Sequence, residues 1–311
     1  MNVLVTGACG FIGSNLSASL LKEGHSVTGI DSFTSNYSEE KKQANLKHLL
    51  SFPNFEFVYA DLLELDIIKL IDGKEVIYHL AGQPSVQNSW GDDFKTYAAR
   101  NILATQRLLQ AAVKVNTPRF VNSSSSSIYG RVSVTPTHES DDKRPISPYG
   151  VTKLAAENLV TLFGSELGLS TVSLRYFTVY GPRQRPDMAF NKLIAAGFSG
   201  AKFPLHGDGT QMRDFTFIDD VVEANKLAGI SEVPAGSVFN VGGGSPVTMK
   251  ETIAIIEEII GKRINLELTP LGPGNPMVTM ANCTAIKQSM GWKSKVNIFD
   301  GLTAQVKWQA N

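Results

Sequence analysis

Tyr149 and Lys153 stand four residues apart in Pro148-Tyr149-Gly150-Val151-Thr152-Lys153. On a helix that spacing puts both side chains on one face. A free tyrosine ionises near pH ~10 and is a poor base at neutral pH. An adjacent ammonium favours the phenolate and makes the tyrosine a better base. Such a pair can take the proton of a secondary alcohol while hydride leaves its carbon, and a serine hydroxyl beside it would complete the hydrogen-bond set. Alone, Y-x-x-x-K is as readily a surface pair. The beginning of the chain gives it meaning: Val3-Leu4-Val5-Thr6 is β-rich and runs into Gly7-Ala8-Cys9-Gly10-Phe11-Ile12-Gly13.

The glycines at 7, 10 and 13 permit positive φ and close backbone approach. A helix starting near Phe11 would aim its free N–H groups and positive end at a pyrophosphate. A strand before the glycines and a helix after them is the context a dinucleotide site requires. Asp31, 18 residues past Gly13, ends the second strand. A carboxylate there accepts hydrogen bonds from the adenosine ribose and repels a 2′-phosphate. No arginine follows in Ser32-Phe33-Thr34, so NAD is favoured over NADP. Asp61-Leu62 ends the third strand, where Asp61 is either an adenine contact or a helix N-cap.

These residues need a frame. Strands are expected at Val3–Thr6, 26–30, 55–60, 76–80, 119–122 and 171–176, and helices at 11–22, 39–50, 98–115 and 149–163. Strands separated by helical segments predict a parallel sheet covered on both faces. After Gly181 prolines and glycines break the pattern, with helices expected at 188–198 and 250–260 and short strands at 215–218 and 237–241. The expectation is an α/β, Rossmann-like doubly wound sheet over residues 1–180. Residues 181–311 form a smaller α/β lobe, mainly for substrate, with some segments returning to the first domain. The Ser123–Ser127 run is too short and too well placed after a strand to be a linker. Glu39-Glu40-Lys41-Lys42 reads as a solvated helix face, with a cofactor role for Lys42 as the lesser alternative.

Composition narrows the function. The 311 residues are 42% hydrophobic and 19% charged, with 29 basic against 29 acidic side chains. No basic excess draws in nucleic acid or an anionic membrane. Two cysteines, Cys9 and Cys283, argue against a disulfide framework and for a reducing cytosol. The five histidines show no metal-binding spacing. Met1-Asn2 leads directly into the first strand, so no signal segment is expected, and no apolar run is long enough to span a bilayer.

Taken together, the motifs resemble an extended short-chain dehydrogenase/reductase of the nucleotide-sugar epimerase/dehydratase group. The resemblance runs through Thr6–Gly13, His79-Leu80-Ala81-Gly82, the serines before Ile128-Tyr129-Gly130, Tyr149 and Lys153. It continues through Arg175-Tyr176-Phe177-Thr178-Val179-Tyr180-Gly181-Pro182 and Gly207-Asp208-Gly209-Thr210-Gln211-Met212-Arg213-Asp214-Phe215. It implies Ser125, Tyr149 and Lys153 as the catalytic set. It implies an NAD site that takes in Phe11, Ile12, Ser32, Leu62, Leu80, Ala81, Gly82, Asn101, Ser123, Tyr176, Thr178 and Val179 besides the glycines and the two aspartates. It implies a UDP-sugar held by Ser85, Ser125, Ser126, Tyr149, Thr178, Arg185, Met188, Phe190, Gln211 and Arg213. Arg185 and Arg213 are the candidates for the diphosphate and uridine ribose, since arginine suits phosphate geometry, with a surface salt bridge as the alternative for either one. A homodimer through the helices at 98–115 and 149–163 is also implied.

The family oxidises a sugar at C4 and then diverges. Dehydratases carry Thr-Asp-Glu where this chain has Ser125-Ser126-Ser127, and UDP-xylose-forming decarboxylases carry a glutamate at the place of Ser127. Both acids are missing, which leaves return of the hydride to the opposite face, a 4-epimerase. Thr178, Gly181–Phe190 and Ser89-Trp90-Gly91 resemble UDP-glucuronate 4-epimerases more than UDP-galactose ones. Asn275, in Pro273-Gly274-Asn275-Pro276, and Cys283 depart from the acidic residues usual there. The alternatives are a neutral or N-acetylated UDP-hexose epimerase, a decarboxylase or dehydratase, and a net dehydrogenase releasing NADH. A catalytically silent NAD sensor is disfavoured by the intact Ser125, Tyr149 and Lys153.

Overall fold

A computed structural model describes residues 1–132, 134–272 and 274–310; Pro273 of the departing segment lies outside the described residues. Strands β1 (Asn2–Thr6), β2 (Ser26–Asp31), β3 (Phe55–Tyr59), β4 (Val76–His79), β5 (Arg119–Ser125) and β6 (Thr171–Tyr176) join Ser237–Val241 in one parallel sheet. Its order is Ser237–Val241, β6, β5, β4, β1, β2, β3. Both faces are covered. Val3 and Val5 of β1 enter one hydrophobic cluster and Leu4 enters the other, the alternation a strand imposes. The chain reverses direction across the sheet between β1 and β4, where Thr6 lies beside His79. The space beyond the carboxyl ends at such a reversal is where open α/β sheets bind ligands.

Within the sheet domain two elements depart most from expectation. Residues 98–115 are not one regular helix: a widened π turn, Ala98–Leu103, precedes an α-helix at Ala104–Lys114. The extra residue per turn brings Asn101 over the loop after β4, where its amide bonds both the N–H (2.7 Å) and the C=O (3.1 Å) of Gln83. Residue types in this stretch remain helical, so periodicity carries no sign of it. Strand β5 also continues past Asn122. Ser123, Ser124 and Ser125 pair with Leu174, Arg175 and Tyr176 of β6, so three of the five serines belong to the sheet.

Beyond β6 the strands are shorter, while two helices the pattern did not mark, Ile218–Ile230 and Ile298–Ala310, are as long as the earlier ones. Thr178–Tyr180 pairs with Phe215–Phe217, and Phe203–His206 pairs with Leu266–Thr269. The helix Ala189–Ser199 and the helix Met249–Ile260, opened by a Thr248–Glu251 capping box, pack into the first cluster. Among the described residues no helix is long and apolar enough to cross a membrane.

Candidate active site

The glycine turn leaves β1 at Gly7 with φ +68°. A Cβ on Gly7 would lie 2.9 Å from Ala81 N, and one on Gly13 would lie 2.1 Å from Gly7 O. The turn and the helix Phe11–Lys22 (α1) are therefore packed as closely as backbone allows. The first N–H groups of α1, which have no partner within the helix, belong to Phe11, Ile12 and Gly13 on the cleft wall. Asp31 is fixed beside them, accepting from Cys9 N–H (3.1 Å) and Phe33 N–H (2.9 Å). Asp61 caps no helix, since the next one, Ile67–Ile71, starts at Asp66. Its carboxylate accepts from Leu63 N–H at 2.9 Å, and it also faces the cleft with Arg100 at 3.7 Å.

Across the cleft, Thr6 Oγ1 accepts from Leu80 N–H and Ala81 N–H at 3.1 and 3.0 Å. With its lone pairs so occupied, its proton goes to His79 Nδ1 at 2.9 Å, which assigns the Nε2–H tautomer facing Thr105 Oγ1 at 3.0 Å. Burial, and then the charge of Lys153, push the His79 pKa down to about 3, so the ring is a neutral strut.

The helix Pro148–Leu167 starts at Ser147, whose hydroxyl accepts from Gly150 N–H, with proline in the first turn. It brings Tyr149 and Lys153 onto the end of β5. The Lys153 ammonium donates to Ser123 O, and Ser125 is hydrogen-bonded to Tyr149 while accepting from Ser127 N–H. Burial raises the Tyr149 pKa, while the Ser125 bond and the charge of Arg185 lower it. Burial lowers Lys153 to about 8, against the pull of Glu157. Arg185, expected on the diphosphate, thus stands close enough to act on the phenol, whereas Lys153 is drawn to a carbonyl. Tyr97 packs edge-on to the Tyr149 ring at 6.5 Å and fixes its plane.

All the residues expected for the cofactor and the catalytic set line one continuous cleft, as do Ser85, Ser126, Arg185 and Met188. A smaller cavity, lined by Arg213 and Asn275, adjoins it, and Val86, Ser126, Ser127 and Thr178 line both. Arg213 donates to Met212 O (2.9 Å) and Met277 O (3.3 Å), and Arg185 grips Asp187 in a two-pronged pair at 2.9 and 2.8 Å.

Two expected substrate residues lie elsewhere. Phe190 is on the core face of its helix, its ring 4.5 Å from that of Phe215. Gln211 turns inward, where its amide donates to His206 O at 2.6 Å and its Oε1 has no partner among the described residues. Lys42 corrects a third expectation. It is buried rather than solvated, lies against the Tyr37 ring, donates to Thr34 O and lines the cleft. Its spacing with Leu46 and Leu49, the other buried residues of its helix, was the available signal. Tyr37, Gln83 and Arg100 also line the cleft, carried there by loops or the π turn, and no sequence signal marked them.

A doubly wound sheet with a glycine cradle at its reversal point and a Ser–Tyr–Lys set in the same cleft defines a dinucleotide-dependent enzyme acting on an alcohol. Residues 3–242 match the NAD dependent epimerase/dehydratase family, and the chain belongs to that family. An uncharacterized UDP-glucose epimerase of Bacillus subtilis (strain 168) is 41% identical, with 99% of this chain and 98% of that protein covered. A UDP-glucuronate 4-epimerase of Thermodesulfobacterium geofontis (strain OPF15) is 35% identical, with 98% and 95% covered. Among solved structures, UDP-glucuronic acid 4-epimerase from Bacillus cereus, in complex with UDP-glucuronic acid and NAD, superposes with a TM-score of 0.96. It is 39% identical, with 100% of this chain and 99% of that chain covered.

Proposed function

We propose that this protein is an NAD-dependent UDP-glucuronate 4-epimerase, interconverting UDP-glucuronate and UDP-galacturonate. The cradle fits a dinucleotide. Gly7 and Gly13 leave no room for a Cβ, the Asp31 carboxylate lines the wall where a ribose diol would sit, and α1 opens towards the cleft. When bound, NAD supplies the acceptor for the C4 hydride and returns it to either face of the sugar. Tyr149 takes the C4 hydroxyl proton and later gives it back, Ser125 hydrogen-bonds the same oxygen, and Lys153 supplies positive charge behind them. Arg185 and Arg213 are assigned to the diphosphate and uridine ribose, with Met188 beside them. This division gives residues 1–180 to the cofactor and 181–311 mainly to the sugar nucleotide, with Ser237–Val241 as the segment that rejoins the sheet.

The observation that carries the uronate assignment is the hydroxyl-rich join of the two cavities. Thr178, Ser126 and Ser127 line both, Ser85 and Ser125 line the larger, and there is no carboxylate in Ser125–Ser127. No acid is present there to drive elimination, and with Ser125 engaged at the C4 oxygen the hydroxyls of Ser85 and Thr178 suit a C6 carboxylate. A 4-keto uronate is a β-keto acid that loses carbon dioxide when its carboxyl group aligns with the carbonyl π system. Holding the carboxylate out of alignment suppresses that loss. Thr178→Ala is therefore expected to release a UDP-4-keto-pentose from UDP-glucuronate, seen by mass spectrometry with matching NADH absorbance. A variant that epimerises and releases none overturns the carboxylate role.

We assign a homodimer built on the two helices near the catalytic set, where Leu103, Val151 and Leu162 are exposed. A cytosolic setting suits the two free thiols.

A further inference from the structure

Three successive serines of β5 each meet one turn of the helix Pro148–Leu167. Ser125 bonds Tyr149, the Ser123 carbonyl accepts from Lys153, and Ser124 Oγ donates to Glu157 Oε2 at 2.6 Å. Tyr149, Lys153 and Glu157 are spaced by four and so lie in a row. The first two are the reacting pair of the proposed function, on which this inference rests. Glu157 is 3% exposed and does not line the cleft.

Its carboxylate is tied down from behind. Arg175 of β6 donates through Nε to Oε2 (2.9 Å) and through Nη2 to Oε1 (2.7 Å). The same guanidinium donates to the Tyr129 hydroxyl (2.6 Å) and to Glu139 O (2.9 Å), and Tyr129 donates to Asn240 Oδ1 (2.7 Å). Glu157 thus joins the catalytic helix, β5, β6 and the strand Ser237–Val241. A buried ion pair adds little stability, because desolvation offsets its attraction.

We propose that Glu157 is a positioning residue: it seats the helix on β5 through Ser124, and its carboxylate is the counter-charge that keeps Lys153 an ammonium. The other groups around Lys153 do not supply that charge. On its own helix Tyr149 is a neutral phenol. From β5 it meets the Ser123 carbonyl, and from β4 the neutral His79. On β6, Arg175 is engaged by Glu157, and Tyr176 is a buried phenol whose pKa burial pushes up. The sign follows. Burial pulls Lys153 down and Glu157 opposes it, so removing the carboxylate lowers the pH at which the ammonium is lost.

The test is carbon NMR of protein carrying isotope-labelled lysine, with the Lys153 resonance assigned by its absence from Lys153→Met. The pH profile of kcat is measured in parallel. Glu157→Gln is expected to move the Lys153 midpoint, and the alkaline limb of kcat, down by about one pH unit. Ser124→Ala keeps the charge, so its midpoint stays while kcat falls about tenfold through a looser seat. Glu157→Gln/Arg175→Met removes both buried charges, and its midpoint moves in the same direction by less. It decides the matter if Glu157→Gln alone does not fold. An unchanged midpoint in folded Glu157→Gln, or in the double variant where the single does not fold, overturns the proposal and leaves the network purely structural. The midpoints need no substrate. An error in the assigned sugar would instead appear as a wild type that does not turn over UDP-glucuronate.

Discussion

Tyr149→Phe is expected to lower kcat for 4-epimerisation about a thousandfold, ~4 kcal/mol of barrier, with binding of NAD and UDP essentially unchanged. The phenyl ring keeps its edge-on contact with Tyr97, so the variant loses the hydroxyl and its bond to Ser125 but not the packing. Without that oxygen no group at the end of β5 is free to take the alcohol proton. Ser125 is too weak an acid, and Lys153 is already donating to Ser123 O. A kcat within tenfold of wild type by steady-state assay would show that the proton leaves by another route.

Gly13→Ala is expected to reduce NAD affinity about a hundredfold, ~3 kcal/mol by calorimetry, and to yield protein that purifies without cofactor. The added methyl would meet Gly7 O at 2.1 Å, Gly7 C at 2.9 Å and Ala8 Cα at 3.0 Å. All three are backbone atoms, so no side-chain rotation relieves the contact and the turn must open. Opening it moves the first N–H groups of α1 away from the position of the pyrophosphate. Unchanged NAD affinity, with an unchanged melting temperature, would mean that the phosphates lie elsewhere.

What could be read from the residues was what depends on local pattern. β1, the glycine turn and α1 announce themselves because the backbone constraint and the residue type are one thing, as at Gly7 and Gly13. Tyr149 and Lys153 could be placed because helix spacing suffices to put them on one face, whereas Ser125 came from the family resemblance, the strand being expected to end at Asn122 before it reached that residue. What escaped depends on contacts between distant segments. The π turn at Ala98–Leu103 is specified by where Asn101 must reach, across to Gln83, and not by its own composition. Lys42 hid within a charged run because a buried lysine shows itself only through its partners, Thr34 and Tyr37. Phe190 and Gln211 belonged to the right segments, but their side chains face the core. A motif gives a position in the chain and leaves open which way the side chain points.

The assignment of UDP-glucuronate is tested most directly by incubating the purified protein with that sugar nucleotide, with and without added NAD, and recording proton NMR of the sugar. UDP-galacturonate is expected, with no net NADH. UDP-xylose or a UDP-4-keto-pentose from the wild type would contradict the assignment, since the hydroxyls at the join of the cavities would not be holding the carboxylate. Inertness towards UDP-glucuronate alongside turnover of UDP-glucose or UDP-N-acetylglucosamine would equally contradict it, keeping the cofactor site and the catalytic set but giving those hydroxyls a neutral sugar.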